Sequence, residues 1–147
     1  MPTKKPSGTP SAASSPSRPP EPVTVFLDES LDSNSIVGAL SAAGANVERL
    51  TSHFPKGVED QTWLSLAGIR GWVVLTRDKR IRYRRLERLA LQTAGVRAFV
   101  FTSGNVTLAD TAAALASAIP AIAEISAREP GPCIYHIGRT GKPRRMA

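Results

Sequence analysis

The amino-acid sequence predicts a single α/β domain, with a parallel β-sheet of about five strands and helices on both faces. Short apolar and β-branched runs, such as residues 23–27 and 72–76, have the character of strands that are buried on both faces. Helical patterns stand between successive runs, and this alternation is typical of a parallel sheet. A length of 147 residues accommodates one ordinary domain.

The run 23–27 is the first predicted strand, and a helix follows it. Asp, Asn and Ser residues at 32–35 are suitable N-caps, apolar residues recur at helical spacing through 36–43, and Gly44 suits the helix end. Residues 47–50 form the second predicted strand. The loop that follows contains Pro and Gly residues, which interrupt regular structure.

The second predicted helix begins at Asp60, where an acidic residue suits the helix dipole, and it ends before Gly71. Residues 72–76 are apolar enough to form a central third strand. The third helix spans about 82–94. Its buried side is predicted to carry Leu86, Leu89, Ala90 and Thr93, with arginines on the other side.

Residues 96–101 are the fourth predicted strand, and Thr107 begins a capping-box-like start for the fourth helix. Pro120 interrupts the apolar pattern of that helix, so we expect a kink or two successive helices. Residues 134–137 form the last predicted strand. The folded domain is therefore predicted to span residues 23–138.

The two ends of the chain differ from this domain in composition. Residues 1–22 are rich in Pro and Ser and predict a disordered tail, because they offer almost nothing to bury. Residues 139–147 predict a basic C-terminal tail. No run reaches the ~18 consecutive apolar residues of a membrane span, and the single Cys133 fits a reducing compartment. We therefore expect a cytoplasmic protein without a membrane segment.

Positive charge is concentrated around one acidic residue. The formal net charge is +7, and seven basic residues surround Asp78. They are Arg77, Lys79, Arg80, Arg82, Arg84, Arg85 and Arg88. A cationic surface attracts polyanions, so this pattern favours a ligand with phosphate groups. The alternative is a solvated helix face, which is the ordinary place for charged side chains.

Three carboxylates are predicted to meet at one edge of the sheet. Asp28 and Asp78 follow the first and third strands, and Asp60 begins the second helix. In an open α/β sheet, ligands bind in the crevice at the carboxyl ends of the strands. Acidic residues that are gathered there repel one another and usually need a cation between them. The sequence therefore indicates a metal site.

Each of these residues also has an ordinary structural explanation. Asp28 could cap the turn that follows it, and Asp60 could serve only the helix dipole, with Glu59 as its competitor for a metal role. Asp78 could form a surface ion pair with Arg77 or Lys79, although such pairs contribute only ~0–1 kcal/mol.

Other chemistries lack support in the sequence. His53 and His136 have no partner at ligand spacing, so the pattern does not favour a zinc site. Cys133 lies in an apolar run, which suits a core position better than a nucleophile. No Gly-rich phosphate loop and no Ser-His-Asp arrangement is visible in the sequence.

The segments around these acids resemble those of a known family. Residues 26–31 (FLDESL), 60–67 (DQTWLSLA), 73–80 (VVLTRDKR) and 132–136 (PCIYH) are similar to successive segments of PIN-like domains, the nuclease module of VapC-type toxins. The resemblance covers residues 23–137. No single motif is specific, but their order and spacing together are.

This resemblance implies a Mg²⁺- or Mn²⁺-dependent ribonuclease with Asp28, Asp60 and Asp78 as metal ligands and catalytic residues, and with Glu29 as a further metal ligand. Arg77, Lys79 and Arg80 would contact the phosphates of an RNA substrate. It also implies a toxin with a cognate antitoxin, and the apolar helices permit a homodimer.

The chain departs from the PIN pattern at one position. Many members have a fourth acid after the fourth strand, where this chain has Thr102, Ser103 and Asn105. Thr102 and Ser103 could hold a metal-bound water, but they bind an ion less strongly than a carboxylate does. A non-catalytic PIN-like module that binds RNA or protein is therefore an alternative.

A receiver-like phosphoacceptor domain is a third possibility. The pair Asp28-Glu29, Asp78 and Thr102 imitates the acids and the Thr of such domains, which also use Mg²⁺. The closing lysine of receivers would have to be Lys142, which trails in the basic tail, and Asp60 would have no role.

Overall fold

The computed structural model describes residues 22–146 and contains one six-stranded sheet with strand order β2-β1-β3-β4-β5-β6. The strands are β1 (Thr24–Leu27), β2 (Asn46–Arg49), β3 (Val73–Thr76), β4 (Arg97–Phe101), β5 (Cys133–Ile137) and β6 (Pro143–Arg145). The first five are parallel and β6 is antiparallel to β5. The predicted α/β class and parallel sheet are confirmed.

Five helices cover the two faces of the sheet: α1 (Asn34–Ala42), α2 (Leu50–His53), α3 (Asp60–Arg70), α4 (Arg85–Ala94) and α5 (Leu108–Arg128). One core cluster joins α1 and α5 to the sheet, and a second joins α3 and α4 to the opposite face. Alternate residues of β1 serve the two cores, since Val25 and Leu27 face α1 and α5 while Phe26 faces α3 and α4.

Local sequence explains several of the helix ends. The Ser33 hydroxyl accepts a hydrogen bond from the Ile36 amide and caps α1. Gly71 and Gly95 end α3 and α4 in the left-handed conformation, at φ of 72° and 66°. Such angles carry no steric cost for glycine, and each residue turns the chain directly into the next strand.

The prediction for the buried side of α4 was wrong for three of its four residues and correct for Ala90. Leu86 and Leu89 are 55% and 57% exposed and Thr93 is exposed, whereas Glu87, Ala90 and Leu91 are buried. The helix also begins at Arg85, after a separate 3₁₀ turn at Lys79–Arg82. Arg84 neutralises the buried Glu87 carboxylate, which makes this orientation possible.

The C-terminal part of the chain also differs from expectation. α5 is a single helix with Pro120 on its exposed side, so of the two expected outcomes, a kink or two successive helices, the second is wrong. The basic segment 139–147, expected to be a tail, contributes β6. Residues 1–21 lie outside the described residues, as does most of the predicted N-terminal tail.

α5 has the length and composition of a membrane-crossing helix, and within residues 22–146 it is the only helix that does. Half of its most apolar 18-residue window is buried in the fold. A core helix passes the same test, and Leu115, Ile119 and Ile122 pack in the core beside α1 and the sheet.

Candidate functional site

The carboxyl ends of β1 and β3 form one crevice. The two strands are neighbours, with Leu27 opposite Leu75, and the chain leaves them toward opposite edges of the sheet. This is the topological position at which open α/β sheets bind ligands. A cavity of about 640 Å³ lies there. It is lined by Asp28, Glu29, Ser30, Leu50, Asp60, Trp63, Arg77, Asp78, Lys79 and Arg80.

Asp28 and Asp78 occupy equivalent local structures. Each ends its strand in extended backbone and caps a 3₁₀ turn, because its carboxylate accepts a hydrogen bond from the amide two residues ahead. The Ser30 and Arg80 amides each lie 3.0 Å from the respective Oδ1. The capping explanation offered for Asp28 is therefore correct, and Asp78 caps its own turn in the same way.

Hydroxyl groups hold the Asp28 carboxylate in place. Thr76 Oγ1 donates to Oδ2 and Ser30 Oγ donates to Oδ1, both at 2.5 Å. The Thr76 hydroxyl also accepts from the Asp78 amide at 3.0 Å, which ties the two strand ends together. Asp28 is only 8% exposed. Its burial raises the pKa of the carboxyl group, and the nearby Asp60 raises it further.

Asp60 and Asp78 share one guanidinium group. Arg84 Nη1 lies 2.8 Å from Asp78 Oδ2 and 3.4 Å from Asp60 Oδ2. The same nitrogen lies 3.2 Å from Glu87 Oε1. These contacts, with the hydrogen bond to Glu87 first, raise the pKa of Arg84 above its ordinary value. Asp60 Oδ1 also accepts from the Trp63 indole nitrogen at 3.1 Å, which fixes its position on α3.

The donors of the crevice suit a hard divalent cation such as Mg²⁺ or Mn²⁺, because carboxylate oxygens are the ligands that these ions prefer. Asp28 has no cationic partner among residues 22–146. Within the same residues, no group of three or more Asp, Glu, His and Cys side chains could hold a metal ion. Of the three predicted acids, Asp28 has no cationic partner among residues 22–146, whereas Asp60 and Asp78 share the positive charge of Arg84.

The predicted phosphate-binding residues all line the crevice, but their side chains differ. Lys79 and Arg80 are exposed, and Arg80 Nε lies 3.4 Å from Asp78 Oδ1. The Arg77 guanidinium turns toward α5, where it donates to Thr111 Oγ1 at 2.8 Å and lies over the Phe101 ring. Lys79 and Arg80 are therefore the cations that remain available to a ligand.

The remaining predicted site residues divide between the crevice and its surroundings. Glu29 lines the cavity and is exposed. Thr102 and Ser103 do not line it. Thr102 Oγ1 instead donates weakly to the Ile137 carbonyl at 3.5 Å, and the Ser103 carbonyl accepts from Arg77. The structure thus brings Glu29 to the acids and leaves the two hydroxyl residues beside β5 and Arg77.

Four contributing residues were not singled out from the sequence. Thr76 and Ser30 position Asp28, while Arg84 and Glu87 connect α4 to the crevice. Thr76 and Ser30 stand within two residues of the two strand-end acids, a proximity that could have identified them. The sequence does not distinguish Arg84 from the other basic residues of the same stretch, so its contacts with the acids could not be predicted.

Comparison with known proteins places these residues in a family. The sequence profile of the family described as "PIN like domain" matches residues 23–103. The curated protein named "Putative ribonuclease VapC45", from Mycobacterium tuberculosis (strain ATCC 25618 / H37Rv), is 28% identical over 117 residues, which are 77% of this chain and 84% of that protein. No solved structure matches significantly. Because the family profile spans more than half of the chain, including Asp28, Asp60 and Asp78, this protein belongs to the PIN-like domain family.

Proposed function

We propose that the protein is a Mg²⁺- or Mn²⁺-dependent endoribonuclease and the toxin of a toxin–antitoxin pair. The observation that supports this most strongly is Asp28, a buried carboxylate without a cationic partner among residues 22–146, in one crevice with Asp60 and Asp78. A buried carboxylate that stays charged requires a compensating cation. The name of the Mycobacterium tuberculosis relative supports the same activity.

The acidic residues of the crevice would bind the metal, and the basic residues would bind the RNA. Asp28, held by Thr76 and Ser30, would be the fixed ligand, and Asp60 and Asp78 would complete the metal site. A divalent cation held there would supply a water of lowered pKa and offset negative charge on the phosphoryl group. Lys79 and Arg80, both exposed at the rim, would hold the neighbouring RNA phosphates.

The proposed setting is the cytoplasm, with a cognate antitoxin that covers the acidic crevice through a basic side chain. Arg84 supports this form of inhibition, because its guanidinium already satisfies both Asp60 and Asp78 in the crevice. A homodimer remains compatible with the fold.

A non-catalytic module that binds RNA or protein is the second candidate, and one observation favours it. The guanidinium of Arg84 occupies the space between Asp60 and Asp78, and no group of three or more Asp, Glu, His and Cys side chains among residues 22–146 could hold a metal ion. In that case the exposed cations would bind an anionic partner, and no metal-dependent turnover would follow.

Cleavage of a mixed structured RNA by the full chain distinguishes the two candidates. The assay compares Mg²⁺, Mn²⁺ and EDTA for the wild type and for Asp28→Asn, Asp78→Asn and Asp110→Asn. The last variant is the matched control, because Asp110 is exposed on the first turn of α5 and does not line the crevice.

We expect metal-dependent cleavage that falls at least about 100-fold in the two crevice variants, since each removes a proposed metal ligand, and is unchanged in Asp110→Asn. Folded protein that cleaves the RNA with neither Mg²⁺ nor Mn²⁺ would exclude the nuclease. Cleavage that persists in both crevice variants would place the active centre elsewhere.

A further inference from the structure

An apolar stripe lies on the exposed side of α4 and the turn before it. Tyr83, Leu86 and Leu89 are 65%, 55% and 57% exposed. Leu86 and Leu89 are three residues apart on α4 and so lie on the same side of the helix, and Tyr83 stands in the turn just before it. Large apolar side chains that are exposed together within seven residues are a feature of binding surfaces.

Arginines border this stripe on one side. Arg85 and Arg88 are exposed, whereas Glu87, the only acid of α4, is buried against Arg84. A concavity of about 290 Å³ is lined by Tyr83, Leu89, Gln92 and the two exposed arginines. We call the stripe and its bordering arginines the α4 surface, comprising Arg82, Tyr83, Arg85, Leu86, Arg88 and Leu89.

A second, smaller pocket continues the α4 surface. It has a volume of about 200 Å³ and lies between Arg82 and Arg88 of this surface and Pro132, Cys133 and Ile134 of the sheet. The Arg82 guanidinium stacks over the Tyr83 ring at 4.6 Å. Its Nε is buried and has no hydrogen-bond partner among residues 22–146. An unpaired buried donor is costly, so this pocket suits an incoming acceptor such as a carboxylate.

The α4 surface is separate from the acidic crevice, because none of its six residues lines the cavity that holds Asp28, Asp60 and Asp78. A second copy of the chain does not suit it, because a two-fold interface would pair two arginine-rich surfaces, and α4 has no exposed acid to offset their repulsion. The N-terminal segment 1–21 is also unsuitable, since it carries three basic residues and one acid.

The composition of the surface favours a protein over RNA. Phosphate contacts need cations but gain nothing from exposed leucines, whereas Tyr and Arg beside apolar side chains are typical of protein interfaces. We propose that the α4 surface binds a partner protein through an acidic amphipathic helix. Its apolar side chains cover the stripe of Tyr83, Leu86 and Leu89, and its carboxylates meet the bordering arginines.

Selection from a library of random 16-residue peptides tests this proposal. The library is sorted for binding to the full chain and against a Leu86→Ser/Leu89→Ser variant, which should fold because both side chains are exposed. We expect the enriched peptides to be acidic, with apolar residues at helical spacing. Fluorescence anisotropy then measures the affinity of one synthesised peptide.

The affinity should fall tenfold or more, by an order-of-magnitude expectation for interface residues of this kind, in Leu86→Ser/Leu89→Ser and in Arg85→Glu/Arg88→Glu. Leu108→Ser and Arg139→Glu are the matched controls, because Leu108 is 50% exposed on α5 and Arg139 is an exposed arginine outside α4. Both controls should leave the affinity unchanged. Thermal unfolding verifies that each variant is folded.

Three results would overturn the proposal. The first is an absence of enrichment, or enrichment of basic peptides. The second is a wild-type dimer that becomes monomeric in Leu86→Ser/Leu89→Ser, which would make a second copy the occupant. The third is loss of affinity for a labelled single-stranded RNA in the same variant, which would make the α4 surface an RNA site.

Discussion

Arg84 Nη1 lies 2.8 Å from Asp78 Oδ2, so a cation of the chain itself already neutralises one of the strand-end acids. The same nitrogen reaches Asp60 at 3.4 Å and Glu87 at 3.2 Å. One guanidinium thus joins the end of β3, the start of α3 and the first turns of α4. Charge-assisted hydrogen bonds of this kind are stronger than neutral ones, and they fix where these carboxylates lie.

Replacement of Arg84 by Gln should strengthen the binding of divalent cations. Asp60 and Asp78 lose their shared counter-charge, so the crevice becomes more attractive to Mn²⁺. Removal of one unit charge beside the two carboxylates should raise the Mn²⁺ affinity by about tenfold, as an order of magnitude. Isothermal titration calorimetry with MnCl₂ measures the change.

Arg80→Gln is the matched control for this prediction. In the wild type, Arg80 Nε lies 3.4 Å from Asp78 Oδ1, and 74% of the Arg80 side chain is exposed. Solvent therefore screens the charge of Arg80. A smaller effect is expected there. Weaker Mn²⁺ binding in Arg84→Gln than in the wild type would show instead that Arg84 positions the two carboxylates for the metal.

Asp28→Asn should raise the stability of the metal-free protein and remove its stabilisation by a divalent cation. Burial raises the pKa of Asp28, which means that the fold disfavours its charged form, so the neutral amide should raise the unfolding temperature at neutral pH without metal. Saturating Mn²⁺ should stabilise the wild type, by about 2.7 kcal/mol at 100 times Kd, and leave the variant unaffected. Thermal unfolding with and without MnCl₂ measures both effects, and equal Mn²⁺ stabilisation of the two proteins would exclude Asp28 as a ligand.

The strand-end acids could be predicted from the sequence, because apolar runs define the strands and parallel strands share one carboxyl edge. The orientation of α4 could not. Leu86, Leu89, Ala90 and Thr93 form one stripe at helical spacing, and Glu87, Ala90, Leu91 and Ala94 form another, shifted by a single residue. Which stripe is buried depends on the contacts of Arg84, which pairs with Glu87 and also with Asp60 at the start of α3. A local pattern carries no information about such contacts.

A second charge network, away from the crevice, gives a pH-dependent stability. Tyr135 Oη donates to both carboxylate oxygens of Glu129, at 2.8 and 2.9 Å. Arg145 Nη1 donates to Glu129 Oε1 at 2.6 Å. The Tyr135 hydrogen bond, followed by the charges of Arg145 and Arg128, lowers the pKa of Glu129 below 4.5. A carboxyl group with a lowered pKa stabilises the fold above its unfolded pKa, and this contribution is lost as the pH falls through the folded pKa.

Glu129→Gln should therefore be less stable than the wild type at neutral pH, and the difference should vanish as the pH falls through the lowered pKa of Glu129. Urea unfolding at several pH values measures the free energy of unfolding. Tyr135→Phe is the companion variant, because it removes the largest cause of the shift and should raise the pKa of Glu129 in an NMR titration. A difference in stability that is independent of pH would contradict the proposed linkage.

Substitution by Ala should change the free energy of unfolding in opposite directions at two glycines that lie in helices. A Cβ at Gly68 of α3 would lie 2.5 Å from the Ala94 carbonyl oxygen and 2.6 Å from Ala94 Cβ of α4. Backbone cannot move away cheaply, so Gly68→Ala should cost about 1–3 kcal/mol, as overpacked positions do. Gly38 of α1 has open space around the same position, so Gly38→Ala should stabilise the protein by about 0.5–1 kcal/mol through helix propensity. Urea unfolding of the two variants tests the close packing of α3 on α4, which sets Asp60 opposite Arg84. Equal effects of the two substitutions would show that the helices are not in such contact.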